Sequence, residues 1–490
     1  MKIRLVGIPT AYLIISILLA NVYLSLSSTP LIAAQEQTDE AENTNETEVN
    51  PAYPLPELKD PRLKVEVVAD GLSVSTGIAF LDNDTILVLK RYNSGFQFGG
   101  LTTVNLIKNG KLQDKEVLTV PTGLCDKNNV QPKCSIHNER GLLGIATKKI
   151  NATSPLIPNN TEVFLYYTEI TLNGEILGNR VYKYIWDGNK LFNSTLILDL
   201  PASPGPRHNA GKVLIGPDGY LYTVIGDQSP DSTLNPNGSR LHRGQLQNIA
   251  SGSPPDNTSV ILRVDPVNGL PAPGNPFVNT DTDTRSASNT NISALSRYYA
   301  YGIRNSFGIA IDPVTGKLWD TENGESRYDE INLVQPGFNS GWRKIMGPMS
   351  RTNITESDLV KFPGSNYSDP EFSWNNTVAV TDLEFFNSSQ LGKKYENNLF
   401  VGDYVSGSLY FFKLNKNRDG FDFGKGNPGL SDRVADNEKE RSKLVLGTGF
   451  DVITDIQTGP DGYLYIVSYI EHSNNRPDNI SRIYRIVPAT

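Results

Sequence analysis

Short stretches that alternate polar and apolar residues dominate the chain from about residue 63 onward. Residues 64–68 and 180–185 alternate in this way, and residues 85–89 form an apolar run directly after a turn-forming run of Asp and Asn. A period of two is typical of strands that bury one face. Gly and Pro are plentiful, with 42 and 31 residues, which favours many turns between short strands over long helices. The pattern predicts an all-β protein.

An internal repeat indicates how the strands are arranged. Residues 216–224 read Gly-Pro-Asp-Gly-Tyr-Leu-Tyr-Thr-Val, residues 459–467 repeat them with one change, and residues 312–319 are a looser copy. Each copy predicts a strand, a tight turn and a second strand, because Gly accepts the positive φ of such turns. Repeated hairpins predict a β-propeller, and about 420 residues suffice for six blades of four antiparallel strands with long loops. The pattern alone leaves a β-sandwich open.

The N-terminus reads as a targeting segment followed by a linker. Lys2 and Arg4 precede a largely apolar run that reaches about Leu26, and small residues follow near Ala34. Residues 1–34 are therefore a signal peptide or an uncleaved membrane anchor, and either one places the rest of the chain outside the cytoplasm. Residues 35–62 are polar and rich in Glu, Asn, Thr and Pro, which predicts a disordered linker before a propeller at residues 63–490.

Other features of the composition agree with export. Cys125 and Cys134, the two cysteines of the chain, most simply form a disulfide in an exported loop, with a pair of free thiols as the alternative. Asn-x-Ser/Thr sequons recur, for example at Asn193 and Asn353, which predicts a glycoprotein. The formal net charge of −8 argues against a broad basic surface and so against nucleic-acid binding. The sequence leaves the oligomeric state open.

Three segments contain residues suited to chemistry. His208 directly precedes a predicted strand and its Pro-Asp-Gly turn, where an imidazole serves either as a general base or as a hydrogen-bonded structural residue. Glu322, Glu325 and the pair at 329–330 crowd one loop, which is either a Ca²⁺ site or a solvated acidic loop. Glu139 lies at the start of an apolar strand, and this setting alone favours a surface ion pair.

These segments, taken in order, resemble the soluble PQQ-dependent glucose/sorbosone dehydrogenase family, and the resemblance extends over about residues 63–488. The matching stretches are residues 65–68, 76–80, 140–146, 208 with the repeat at 216, 302–305, 322–324, 329–332, 341–342 and 400–403. The resemblance implies a six-bladed propeller that holds pyrroloquinoline quinone (PQQ) and Ca²⁺ at the mouth of its channel.

The resemblance also implies roles for individual residues. His208 matches the family's catalytic base, which removes the C1 hydroxyl proton of an aldose while hydride passes to the quinone. The implied cofactor contacts are Arg304, Asn305, Asn323 and Glu139. The implied calcium site comprises Gly324 and Glu325, with Asp329 and Glu330 just beyond. A small sugar and an external electron acceptor would be the reaction partners.

The chain departs from the family pattern where cations clamp the carboxylates of PQQ. Val405 or Ser406 stands where the family has a Lys, residues 451–455 carry no cation where it has two Arg, and Glu139 replaces a Gln. Each lost charge-assisted hydrogen bond weakens binding by about 1.5–3 kcal/mol. Two hypotheses follow: an exported quinoprotein-type sugar oxidoreductase, or a glycosylated surface propeller that lacks the cofactor and binds glycans or proteins. A third, a hydrolase in which His208 and a metal ion open a lactone, is selected by no feature of the sequence.

Overall fold

The computed structural model describes residues 54–92, 99–123, 138–150, 161–229, 244–278, 294–470 and 480–489. The predicted signal or anchor segment, residues 35–53 of the predicted linker, Cys125 and Cys134 lie outside these ranges. Within them the chain forms 28 strands, five 3₁₀ turns and one short α-helix. No helix in the described part of the chain is long and apolar enough to cross a membrane.

The strands are numbered in chain order. Strands β1 to β14 span Glu57–Leu58, Leu63–Leu72, Ser75–Phe80, Thr85–Lys90, Gly99–Lys108, Lys111–Leu112, Leu118–Gly123, Leu142–Lys149, Thr161–Ile170, Ile176–Trp186, Leu191–Leu200, Val213–Ile215, Leu221–Ile225 and Val260–Val264. Strands β15 to β28 span Tyr298–Tyr301, Gly308–Ile311, Leu318–Glu322, Asp329–Val334, Phe338–Asn339, Phe372–Trp374, Val380–Phe385, Leu399–Asp403, Leu409–Phe412, Val434–Ala435, Val445–Thr448, Val452–Thr458, Leu464–Ile470 and Ile480–Pro488. The α-helix α1 spans Glu438–Arg441, and the 3₁₀ turns span Gln245–Gln247, Ala294–Arg297, Met349–Arg351, Glu356–Asp358 and Pro428–Leu430.

Six groups of four antiparallel strands account for most of the described chain. In order from the first strand of each, the groups are β3-β4-β5-β7, β8-β9-β10-β11, β12-β13-β14-β15, β16-β17-β18-β20, β21-β22-β23-β25 and β26-β27-β28-β2. The first strands contact one another in the cycle β3, β8, β12, β16, β21, β26 and back to β3. The six-bladed propeller is therefore confirmed, and the β-sandwich alternative is wrong.

Strands from near the two ends of the described chain meet in the sixth blade. Strand β2 pairs with β28, so that Leu63 lies opposite Pro488 and the ring closes by hydrogen bonds between distant segments. Strand β1 adds to the outer edge of the fifth blade, where Glu57 lies opposite Thr448. Within the described residues, strand β1 thus lies inside the stretch 35–62 that the sequence assigned to the linker.

The sequence repeat corresponds to a repeated hairpin. Residues 216–224 and 459–467 form the first turn of the third and sixth blades. In each copy a tyrosine hydroxyl donates to the turn aspartate, from Tyr222 to Asp218 at 2.9 Å and from Tyr465 to Asp461 at 2.8 Å. The glycine after each aspartate has a φ near +80°, at 82° and 81°, which an L-residue with a side chain rarely adopts.

Aromatic side chains fill the space between the fourth and fifth blades. Trp374 packs edge-on against Phe372 at 4.8 Å and against Tyr410 at 5.3 Å between ring centres, and all three are buried. Such pairs add about 0.5–1.5 kcal/mol to the burial of the rings themselves. Packing between blades holds the first strands in place, and the segments that enter and leave these strands carry the candidate active site.

Candidate active site

His208 lies in the segment that leads from the second blade into the third, and its backbone is held in an unusual conformation. Its φ is 59°, in the left-handed region that non-glycine residues rarely occupy. Its N–H donates to Glu139 Oε2 at 2.6 Å, and its carbonyl accepts from Gln228 Nε2 at 2.8 Å. The side chains of Glu139 and Gln228 thus hold both backbone polar groups of the buried His208. A strained backbone conformation persists only where surrounding residues hold it in this way.

The imidazole of His208 is oriented by a buried carboxylate. His208 Nδ1 lies 2.5 Å from Asp227 Oδ1, and Trp342 Nε1 donates to Asp227 Oδ2 at 2.8 Å. Burial would raise the pKa of Asp227, but the charges of His208 and Arg304 and the hydrogen bonds from His208 and Trp342 together lower it. Asp227 is therefore ionised and holds a ring proton of His208 on Nδ1, so Nε2 is the ring nitrogen left to act as a proton acceptor.

The predicted cofactor contacts lie together beside this array. The Arg304 N–H donates to Glu322 Oε1 at 2.6 Å, and Arg304 Nη1 donates to the carbonyl of Asn323 at 2.8 Å. Asn305 Nδ2 donates to Glu139 Oε2 at 3.2 Å, the same oxygen that accepts from the His208 backbone. The structure therefore joins all five predicted catalytic and cofactor residues in one network, and it gives Glu139 contacts that position His208 and Asn305.

Several buried polar atoms of this network have no hydrogen-bond partner within the described part of the chain. They are Gln228 Oε1, Asn305 Oδ1, Asn323 Oδ1 and Arg304 Nε. Buried polar groups are almost always hydrogen-bonded in folded proteins. The three amide oxygens need donors, which the hydroxyl groups of a sugar supply, and Arg304 Nε needs an acceptor, which a carbonyl or carboxylate oxygen of a polar cofactor supplies.

The predicted calcium residues are not brought together through their side chains. Asp329 accepts backbone hydrogen bonds from Gly324 at 2.9 Å, Val378 at 2.7 Å and Ala379 at 2.6 Å. Adjacent residues of a strand point to opposite faces, and Glu330 instead accepts from the backbone N–H of Gly347.

Glu325, the third carboxylate of the predicted set, is exposed. Among the described residues no group of three or more His, Cys, Asp or Glu side chains is arranged to hold a metal ion. The carboxylates of Glu325, Asp329 and Glu330 therefore do not fit a common Ca²⁺, and calcium binding at Gly324 and these residues stays a prediction.

A cluster of buried carboxylates lies behind the site on strands β17 and β18. Asp320 pairs across the strands with Asn332, and Glu322 pairs with Glu330, so all four side chains share one face. Burial raises the pKa of Glu322 to about 7. Burial and the charge of Glu322 raise the pKa values of Asp320 and Glu330 well above their ordinary range. Such raised values are typical of functional sites.

Glu322→Gln is expected to reduce the loss of stability that occurs as the pH rises from about 4.5 to 7. In this interval the folded state keeps a proton that the unfolded state releases, because the pKa rises from 4.5 to about 7 on folding. Stability therefore falls with pH, by up to about 3 kcal/mol for this residue. Urea unfolding at pH 5 and pH 8 measures the effect. The exposed Glu325→Gln is the matched control, and an unchanged pH dependence in Glu322→Gln would contradict the assignment.

Residues 72–476 match the family model described as glucose/sorbosone dehydrogenase. The chain belongs to the glucose/sorbosone dehydrogenase family. An aldose sugar dehydrogenase of Escherichia coli is 23% identical over 415 residues, covering 83% of this chain and 90% of that protein. Family membership supports a sugar dehydrogenase-type oxidoreductase.

Solved structures of the family share the fold. An oxidoreductase of Thermus thermophilus described as a glucose dehydrogenase has a TM-score of 0.58 at 25% identity, covering 87% of this chain and 100% of that one. The PQQ-bound aldose sugar dehydrogenase of Streptomyces coelicolor has a TM-score of 0.52 at 22% identity, covering 88% of this chain and 99% of that one. The second likeness concerns the fold alone.

The two stretches that carry the family's clamp cations contain none in this chain. Val405 is 64% exposed. Asp455 accepts from Lys212 Nζ at 2.6 Å and from the backbone N–H of Ile78 at 2.7 Å. Lys212 also donates to Asp382 at 2.7 Å, so this nearby cation is already bonded to two carboxylates and is poorly placed to replace the clamp.

Proposed function

We propose that this chain is an exported sugar dehydrogenase that oxidises an aldose at C1, with His208 as the general base and PQQ as the cofactor. The observation that carries the proposal is the His208–Asp227–Trp342 array, which fixes the orientation and the protonation of the imidazole. The family match supports the reaction class. The array supplies the proton acceptor that oxidation of a hydroxyl group requires.

His208 takes the proton of the sugar O1–H group at Nε2. As that proton leaves, the C1–H bond breaks, the hydride departs and the C1=O bond of the product forms. Asp227 stabilises the imidazolium that results, because its carboxylate already accepts the Nδ1–H hydrogen bond at 2.5 Å. Glu139 and Gln228 keep the base in place by bonding the backbone of His208.

Three residues beside His208 would hold the cofactor. Arg304 offers its Nε, and Asn305 and Asn323 offer side-chain amides whose oxygens are buried without a partner in the described chain. When bound, PQQ supplies the two-electron acceptor for the hydride that leaves C1, as the PQQ-bound relative from Streptomyces suggests. An external acceptor then receives the electrons. The absence of cations at residues 403–407 and 451–455 predicts weaker PQQ binding than a fully clamped site would give.

Reconstitution of the full chain tests the proposal. The purified protein is stripped of metal, titrated with PQQ with and without Ca²⁺, and followed by quinone absorbance. The same samples are then assayed for dye reduction with several aldoses. Saturable PQQ binding together with sugar-dependent dye reduction is the expected result.

A lack of PQQ binding in both arms would overturn the dehydrogenase proposal. It would favour the alternative of a glycosylated propeller that binds glycans or proteins, which the missing clamp cations support. Binding that requires added Ca²⁺ would locate calcium at the cofactor, whereas binding without it would argue against the predicted calcium site.

A further inference from the structure

A cavity lies at the outer part of the fifth blade, lined by residues other than those of the candidate active site. Its volume is about 310 Å³, and it lies between the segment that follows β1 and the strands β23 and β25. The residues that matter to its chemistry are Lys59, Asp60, Lys394, Phe411, Lys443 and Leu446. We call it the lysine cavity. Its volume is at the lower end of the range of small-molecule sites, about 300–1,000 Å³.

The lysine cavity is positively charged in a chain whose formal net charge is −8. Three lysines and one aspartate line it. Asp60 is already compensated, since it accepts from Arg62 Nε at 2.9 Å and Nη2 at 2.6 Å and from the Tyr395 hydroxyl at 2.7 Å. The hydrogen bonds of Arg62, the first of several causes, lower the pKa of Asp60. The lysine charges therefore dominate the cavity.

Two of the three ammonium groups can take a new ligand. Lys59 Nζ donates to the carbonyl of Ser442 at 2.6 Å, which leaves two of its three donors for a ligand. Lys443 is exposed and has no ion pair or side-chain hydrogen bond with any residue in the described ranges. Lys394 is more constrained, at 3.8 Å from Asp60 Oδ2 and 5.6 Å from the ring centre of Phe411.

The remaining wall of the lysine cavity is apolar. Phe411 is half-buried and Leu446 is buried. The segment opposite is held by a hydrogen bond from the Lys59 backbone N–H to the Leu446 carbonyl at 2.7 Å, which keeps the wall in position. An aromatic ring beside cationic groups suits a ligand that has both a weakly polar face and an anionic group.

We propose that the lysine cavity binds an anionic monosaccharide unit. Its carboxylate, phosphate or sulfate group contacts Lys59 and Lys443, and its ring lies against Phe411. The volume accommodates one sugar ring, and the charge excludes a neutral sugar as the preferred ligand. The site is separate from the oxidation at His208, so it would attach the protein to acidic sugars or polysaccharides whether or not the protein is an oxidoreductase.

Calorimetric titration of the full chain tests this site with three probes: glucuronate, glucose 6-phosphate and inorganic phosphate. The two sugar anions are expected to bind saturably, and more weakly as ionic strength rises. The double variant Lys59→Ala/Lys443→Ala should weaken binding about tenfold or more, because charge-assisted hydrogen bonds are lost. Lys443→Glu keeps the bond from Lys59 to Ser442 and should also weaken binding, so the test does not depend on the stability of β1.

Lys393→Ala is the matched control, since Lys393 is an exposed neighbour that pairs with Glu396 at 2.6 Å and does not line the cavity. It should bind like the wild type, and any glucose binding at the His208 site should be unchanged in all variants. Equal affinity of the wild type and the double variant would overturn the proposal. So would inorganic phosphate binding as tightly as glucose 6-phosphate, because the sugar ring would then contribute nothing, and so would a lack of binding by both sugar anions.

Discussion

His208→Asn is expected to lower kcat for sugar-dependent dye reduction by about 10²- to 10⁴-fold, the usual contribution of a general base. The variant removes Nε2, the atom that the array with Asp227 turns into a proton acceptor. Asn is the appropriate replacement because His208 has a φ of 59°, a conformation that Asn tolerates better than most residues. The measurement is steady-state dye reduction by the protein reconstituted with PQQ.

Two further measurements separate loss of the base from loss of structure in His208→Asn. The quinone titration should give a dissociation constant close to that of the wild type, since residue 208 is not among the implied cofactor contacts, which are Arg304, Asn305, Asn323 and Glu139. The thermal unfolding midpoint should change little, because Glu139 and Gln228 bond the backbone of residue 208 rather than its ring. A variant that binds PQQ and keeps more than about a tenth of the wild-type kcat would rule out His208 as the base.

The propeller could be predicted because the residues that specify each hairpin are close together in the sequence. The repeat at residues 216–224 and 459–467 specifies the same turn and the same tyrosine–aspartate bond twice. Closure of the ring was not visible in the sequence, because it pairs Leu63 with Pro488. Strand β1 could not be predicted for the same reason: it is two residues long and is defined by its pairing with β25.

The position of His208 at the candidate site could be predicted from the sequence, but the residues that orient its ring could not. His208 was recognisable from its place before a repeat strand. Asp227 follows the next strand of that hairpin, in a Gly-Asp-Gln sequence, and a carboxylate at the end of a buried strand is the signal that could have found it. Its partner Trp342 lies 115 residues away, so the array exists only once the blades are assembled.

The acidic loop shows what residue type alone cannot specify, namely the direction in which each carboxylate points. Glu325, Asp329 and Glu330 suggest a hard cation by composition. The backbone directs Asp329 toward three N–H groups and places Glu330 with the buried carboxylates on the opposite face of β18. Buried carboxylates with raised pKa values, a left-handed backbone at His208 and polar atoms with no hydrogen-bond partner in the described part of the chain all lie around His208. Features of this kind lower the stability of the fold, and they are concentrated at functional sites.

Asp227→Asn is expected to lower kcat by about 10²- to 10⁴-fold with little change in KM, because the analogous change in a Ser-His-Asp triad reverses the histidine tautomer. An amide can donate to Nδ1 of His208, which would leave the proton on Nε2 and remove the acceptor. Both carboxylate oxygens of Asp227 already accept from His208 and Trp342, so the effect should appear in kcat and in the pH profile rather than in substrate affinity.

A graded series distinguishes this positioning role from a structural one. Asp227→Glu keeps a carboxylate and should restore part of the activity that Asp227→Asn loses. Trp342→Phe keeps the ring but removes the N–H that donates to Asp227 at 2.8 Å, and should cost about tenfold, in line with one hydrogen bond to a charged group. If Asp227→Asn instead kept the wild-type kcat and pH profile while Trp342→Phe lowered both stability and activity, the array would be structural. The proton acceptor would then be another group around Arg304. Glu139 would be the first candidate, because its carboxylate accepts hydrogen bonds from the backbone N–H of His208 and from the side-chain amide of Asn305.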